Sequence, residues 1–244
     1  MRHKAFTLIE LLVVVTIISL LAAMLLPVIS LVRDVAWETR CSANLRQCGI
    51  AALTWAHEND GALPRLVEPS GLTFDVHLIV DYGMVHNVYW CPNNKQAEAF
   101  TRNLDGVTVT GRRSYAIPAA YLSLPGDQAF ADTLVAWYDL ATGTRGSSNL
   151  GRVQDSSGSI LYHERWDRPD HPAGPFAYRN MFGNEWGVSS SETWNIQDVH
   201  RGASNFLFID GHVERRSVDS TLNGSQRGWT GSMSKGAWTI VAGD

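Results

Sequence analysis

The apolar side chains divide the chain into two unequal parts. From Phe6 to Leu26 it reads FTLIELLVVVTIISLLAAMLL, with Glu10 as the only charge. About 21 residues at 1.5 Å each reach roughly 30 Å, the hydrocarbon thickness of a bilayer, so the length predicts a transmembrane helix. Past Pro27 the period stays helical. Trp37, Cys41, Leu45, Cys48, Ala52 and Trp55 recur at intervals of three and four and line one arc, while Arg33, Arg40, Arg46 and Gln47 fall mostly elsewhere. The helix is expected to run to Glu58 and to stop at Asn59-Asp60-Gly61, where glycine can take a left-handed cap and Pro64 cannot continue. The result is one helix of about fifty residues, half suited to lipid and half amphipathic, whose outer half needs a sheet to cover its stripe.

After residue 60 the pattern changes to short β-prone runs between turn formers. Val88–Trp90, Ser114–Ile117, Leu134–Tyr138, Ser159–Tyr162 and Asn205–Ile209 read as strands, and 142–158 and 167–195, rich in Gly, Ser, Asn and Pro, as long loops. Asp210-Gly211 between two such runs predicts a two-residue type I′ hairpin turn, which needs positive φ at both central positions. The fold class expected is α+β, a long amino-terminal helix packed on an antiparallel sheet decorated by loops.

At 244 residues the chain holds one domain of ordinary size plus an appendage. A net charge of −4 shows no basic excess, which argues against a nucleic-acid partner. Of the three cysteines, Cys41 and Cys48 lie seven residues apart on one helix, roughly 10 Å, too far to bridge. A disulfide would need Cys91, with Cys41 the first choice of partner and Cys48 the second. Three buried thiols are the alternative.

Glu10 is the informative residue, because an ionised group in lipid costs at least a few kcal/mol unless it finds a partner. A cut just before Phe6 would create such a partner. The new α-amine of one subunit could pair with the Glu10 carboxylate of a neighbour in a bundle of parallel helices, and so fix axial register. Arg2, His3 and Lys4 precede the apolar run and no comparable cluster follows until Arg33, which places the amino terminus in the cytoplasm and the rest outside. A conventional cleaved signal peptide is the competitor, but its apolar stretch would be shorter, about 7–15 residues, and uncharged.

The short basic leader, Ala5, the run Phe6-Thr7-Leu8-Ile9-Glu10 and the apolar stretch together resemble the prepilin amino terminus of type IV pilins and type II secretion pseudopilins. The resemblance implies cleavage between Ala5 and Phe6 by a membrane-embedded prepilin peptidase, N-methylation of Phe6, a role in assembly for Glu10 and a helix kink at Pro27. Ala5 departs from the glycine usual before the cut. His200, nine residues, then Asp210-Gly211 resembles a signature near the carboxy terminus of a large bacterial group of prepilin-type proteins. Cys41-Ser42-Ala43-Asn44-Leu45-Arg46-Gln47, Trp90-Cys91-Pro92, Ser114-Tyr115 and Trp238-Thr239 are similar to further landmarks of that group. The implied organisation is a leader over 1–5, a transmembrane and filament helix over 6–26, its amphipathic continuation over 27–59, and a periplasmic or extracellular β-rich domain over 60–244. The implied function is that of a structural subunit of a type II secretion pseudopilus or pilus-like fibre. It would be held as a single pass in the inner membrane, with prepilin peptidase, like subunits and an inner-membrane assembly platform as partners.

Other chemistry finds little support. His163, Glu164, His171, His200, Asp210 and His212 show no spacing of a dedicated zinc site, so no transition-metal site is expected. Asp198, Asp210 and Asp219 could offer oxygens to calcium near the carboxy terminus, without an EF-hand spacing; no other cofactor is implied. Ser189-Ser190-Ser191-Glu192 lacks a nucleophile-elbow context and no phosphate-cradling loop is present, so no enzyme is expected. Trp166, Trp186, Trp194 and Trp229 either anchor long loops or form an aromatic face for carbohydrate or protein. The second reading would make the chain a membrane-tethered binding or adhesion domain that never polymerises.

Overall fold

The computed structural model describes residues 7–63, 74–84, 86–94, 98–104, 106–117, 119–122, 136–139, 145–164 and 199–221. Helix α1 spans Leu8–Glu58, and α2 spans Phe74–Asp81. At 51 residues α1 is about 76 Å long. It passes through Pro27, which has no N–H to give the carbonyl of Ala23. The expected stop is found: Glu58 is the last helical residue, Gly61 takes φ 79° and its N–H returns to the Ala56 carbonyl at 2.8 Å. Asp60, at φ 55°, shares the left-handed bend, and the Asn149 side chain donates to its carbonyl at 2.7 Å.

The strands are β1 Glu98–Leu104, β2 Val107–Arg113, β3 Tyr115–Ala116, β4 Ala119–Leu122, β5 Ala136–Asp139, β6 Arg145–Ser147, β7 Ile160–Glu164, β8 Ser204–Phe208 and β9 Val213–Arg216. The sheet that matters for the core is antiparallel throughout, in the order β3-β7-β8-β9. The outer half of α1 lies on its β7, β8 and β9 strands. Cys41, Leu45, Cys48 and Ala52 pack there with Leu161, Leu207 and Ile209, so the predicted stripe is the core face, with Trp37 and Trp55 half-buried at its margins. The α+β arrangement of a long helix on an antiparallel sheet is therefore the fold. The inner half, by contrast, leaves its apolar side chains from Leu8 to Val35 exposed.

Several elements differ from expectation. Val88 and Tyr89 belong to a 3-10 turn, His86–Tyr89, rather than a strand. Both are buried, and the Tyr89 carbonyl accepts from Ser114 N–H at 2.7 Å, so this short apolar run meets the core as a turn. The β1–β2 hairpin was not foreseen. It joins Leu104 to Val107 across two residues, with Gly106 at φ 85°. β4 and β5 pair in parallel, and β6 lies within the expected loop 142–158. The expected loop 167–195 lies outside the described residues.

The turn at Asp210-Gly211 is also of another type. Gly211 has φ 91° but Asp210 is not in the left-handed region. Gly211 N–H bonds to the Phe208 carbonyl at 3.0 Å and Phe208 N–H to the His212 carbonyl at 2.9 Å, which makes a three-residue loop with a glycine bulge. The Asp210 carboxylate accepts from His212 N–H at 3.0 Å, a local bond that holds the residue out of the type I′ conformation. The type I′ geometry occurs nine residues earlier. Arg201 (φ 48°) and Gly202 (φ 83°) are both left-handed, and His200 and Ala203 exchange both backbone bonds, at 2.9 and 3.2 Å.

Candidate functional site

Two places concentrate the residues singled out by sequence. The first is the start of α1. Thr7 is its N-cap, and Glu10 Oε2 accepts from both Thr7 N–H and Thr7 Oγ1 at 2.9 Å while Glu10 N–H donates to Thr7 Oγ1 at 3.3 Å. This reciprocal capping box satisfies donors that a helix start otherwise leaves open. Glu10 is thus held within its own chain, a role that sequence reading did not assign although Thr7-Leu8-Ile9-Glu10 fits the capping pattern. The carboxylate and its apolar surroundings remain fully open to a neighbour. Ala5 and Phe6 lie outside the described residues.

The second place is buried, where α1 meets the sheet. Asn44 Nδ2 on α1 donates to the Trp90 carbonyl at 3.2 Å, which draws the following Cys91 against Cys41 one helical turn back. Asn93 Nδ2 donates to the Val199 carbonyl and ties the same loop to the segment carrying His200. Sulfur atoms of Cys41 and Cys91, the Glu164 carboxylate and the His200 ring converge with ligand atoms all within 4.8 Å of one another, and all four residues are buried. His200 Nε2 stands 2.9 Å from Glu164 Oε1 and 3.5 Å from Cys91 Sγ. Asn205 anchors the carboxylate, its N–H on Oε2 at 2.7 Å and its Nδ2 on Oε1 at 3.1 Å.

The expected first-choice pair, Cys41 with Cys91, is adjacent, but all three cysteines are thiols and neither proposed disulfide is formed. The Cys41 thiol donates to Cys91, and with the His200 ring on the other side this holds Cys91 below the ordinary thiol range despite burial. The donating role and burial push Cys41 up. Burial opposes charge on His200, yet its bonds to Cys91 and Glu164 prevail and raise it.

Residues 1–26 match the family described as the prokaryotic N-terminal methylation motif. The chain carries a prepilin-type amino terminus. No match is found among curated proteins or solved structures. The prepilin-type segment leads directly into an apolar helix long enough to cross a membrane, with an 18-residue window of mean hydropathy 2.9 that is nowhere buried in the fold. This fits an inner-membrane anchor and processing by prepilin peptidase.

Of the calcium candidates, Asp210 is occupied locally, its Oδ1 2.6 Å from His212 Nδ1, whereas Asp198 and the side chain of Asp219 lie outside the described residues, as does His171. Spacing along the chain does not register the four side chains, of three ligand types, that could hold a metal ion and that α1, the Cys91 loop, β7 and the turn before β8 bring together. Sequence reading also missed Arg215. Its Nη2 donates to the carbonyls of His200 and Arg201 at 2.6 and 2.9 Å, and its Nε pairs with Glu38 on α1 at 3.2 Å, clamping the type I′ turn to the helix.

Proposed function

We propose that this prepilin-type chain is a structural subunit of a type II secretion pseudopilus or a type IV pilus-like fibre, cut between Ala5 and Phe6 and methylated on Phe6. Its work is mechanical rather than catalytic. The observation that carries the reading is the division of α1: one half is bolted to a sheet, and the other presents an uncovered apolar surface whose only acid sits at the very start. Such a surface is stable in lipid or against like helices, and extraction from the one into the other is what a fibre subunit undergoes. The inner-membrane assembly platform and related subunits are the partners this implies, with the folded domain on the periplasmic side. Cohesion comes from helix packing, and register from Glu10 paired with the α-amine of a neighbour.

The capping box favours a second reading, because an acid already satisfied by Thr7 is not compelled to seek a neighbour. In that case the chain is a membrane-tethered binding domain sorted by its prepilin signal. Glu10→Gln separates the two, since glutamine keeps the capping box and loses the charge. The fibre reading expects normal processing, with a mature mass beginning at methylated Phe6, and loss of cross-linked multimers. Multimers at wild-type levels in Glu10→Gln would reject charge pairing, and a mature form retaining Met1 would reject the processing.

A further inference from the structure

The buried convergence of Cys41, Cys91, Glu164 and His200 is not used by fibre assembly, and it has the chemistry of a ligand set. We propose that these four side chains form a structural binding site for a divalent borderline-soft cation of the zinc type.

At tetrahedral zinc, sulfur and nitrogen ligands lie at about 2.3 and 2.0–2.1 Å, so the ligands themselves stand about 3.5 Å apart. Cys91 Sγ and His200 Nε2 are 3.5 Å apart, and no pair of the four ligand atoms exceeds 4.8 Å. The donor types, two thiols, one imidazole and one carboxylate, are those zinc takes in closed four-coordinate sites.

Charge points the same way. Nε2 and Oε1 at 2.9 Å would repel as two lone pairs, so a proton or a cation must lie between them. The other ring nitrogen, Nδ1, is buried and has no hydrogen-bond partner among the described residues, so none of them fixes the tautomer from that side. One cation serves Cys41, Cys91, Glu164 and His200 together, where protons can serve them only in pairs. In the exchange, the cation enters as two thiols each release a proton and the His200–Glu164 pair releases the one it shares. The site goes from neutral to a net charge of −1, and three protons leave with the charge balanced.

Outer contacts hold the carboxylate and the Cys91 loop in place. Asn205 holds both carboxylate oxygens, its N–H on Oε2 and its Nδ2 on Oε1, and Oε1 faces His200 as well. Asn44 and Asn93 fix the Cys91 loop from both sides. Each ligand arises from a different stretch of chain, so an ion here would staple α1 to the sheet at the point where the uncovered half of the helix begins to lever on the domain.

The test uses the full chain in detergent under reducing conditions, stripped with chelator and titrated with Co2+ alone. Binding of about one equivalent with a thiolate-to-cobalt charge-transfer band and the visible bands of a tetrahedral ion is expected, reversed by Zn2+. Cys41→Ser and His200→Ala should abolish the band, and Cys48→Ser, a buried thiol outside the cluster, should keep it. Because the first two variants remove core groups, Asn205→Ala is the gentler probe, expected to weaken Co2+ binding about 10- to 100-fold while the band persists at saturation. The proposal is overturned if wild type gives no charge-transfer band, if Cys41→Ser leaves the band intact, or if chain taken from membranes without reductant carries a Cys41–Cys91 disulfide by mass.

Discussion

Single residues set how closely the helix approaches the sheet, and Gly49 shows it best. A Cβ built on Gly49 would stand 2.7 Å from Leu207 Cδ2, and Leu207 is wholly buried on β8. On an exposed helix, Gly→Ala would stabilise by about 1 kcal/mol. Here the methyl must displace a packed leucine, and overpacking costs about 1–3 kcal/mol, so Gly49→Ala is expected to lose on the order of 1 kcal/mol net and Gly49→Val about 3. Denaturant unfolding of the full chain, followed by tryptophan fluorescence, measures both. A stabilised Gly49→Ala would mean that Leu207 moves freely and that the close approach is incidental.

The element scale explains the spacing of His200 and Asp210-Gly211, which sequence alone presents as a bare interval. The interval is one strand with a turn at each end. His200 closes the type I′ turn and enters the cysteine cluster, and β8 then crosses the sheet with every residue buried. At the far end Ile209 and Asp210 donate backbone bonds, each 3.0 Å, to the carbonyls of Ser159 and Ser156. Gly202 is the hinge of this arrangement. Nothing lies within 4 Å of a Cβ placed there, so Gly202→Ala is disfavoured by backbone conformation alone. A loss of about 1–2 kcal/mol is expected, most of it recovered in Gly202→Asn, in the same unfolding measurement. Equal losses for the two variants would point to a packing role instead.

What was legible also sorts by element. The long helix, its stop and its buried arc were readable because period and capping are local. The strand at Asn205–Ile209 was readable for the same reason, within a residue at each end. Asp-Gly announces a tight turn but does not choose between the type I′ and bulged forms, since that depends on whether Asp210 bonds its own loop. Nor could spacing reveal the cluster, whose members at 41, 91, 164 and 200 meet only through the topology. Glu10 was read for its charge, and its capping role was missed although Thr7 stands three residues before it.

At the scale of the whole molecule, the two halves of α1 differ in what covers them, and this predicts opposite tolerance to the same substitution. Ile18 and Ile50 are comparably uncovered, at 60% and 68% exposure. Yet Ile18 lies in the apolar span, where an aspartate at the helix centre costs about 2.5–3.5 kcal/mol of membrane insertion. Ile50 lies on the solvent side of the helix half that packs on the sheet, where surface changes usually stay within about 0.5 kcal/mol. Ile18→Asp should therefore release the chain from carbonate-washed membranes or prevent its accumulation there, while Ile50→Asp stays membrane-bound with an unchanged unfolding midpoint. If Ile50→Asp instead leaves folding and membrane retention intact but removes cross-linked multimers, the uncovered strip engaged by neighbours extends beyond the bilayer half and along the outer helix. If Ile18→Asp is retained in the membrane like wild type, lipid is not what the apolar half of α1 is built to meet.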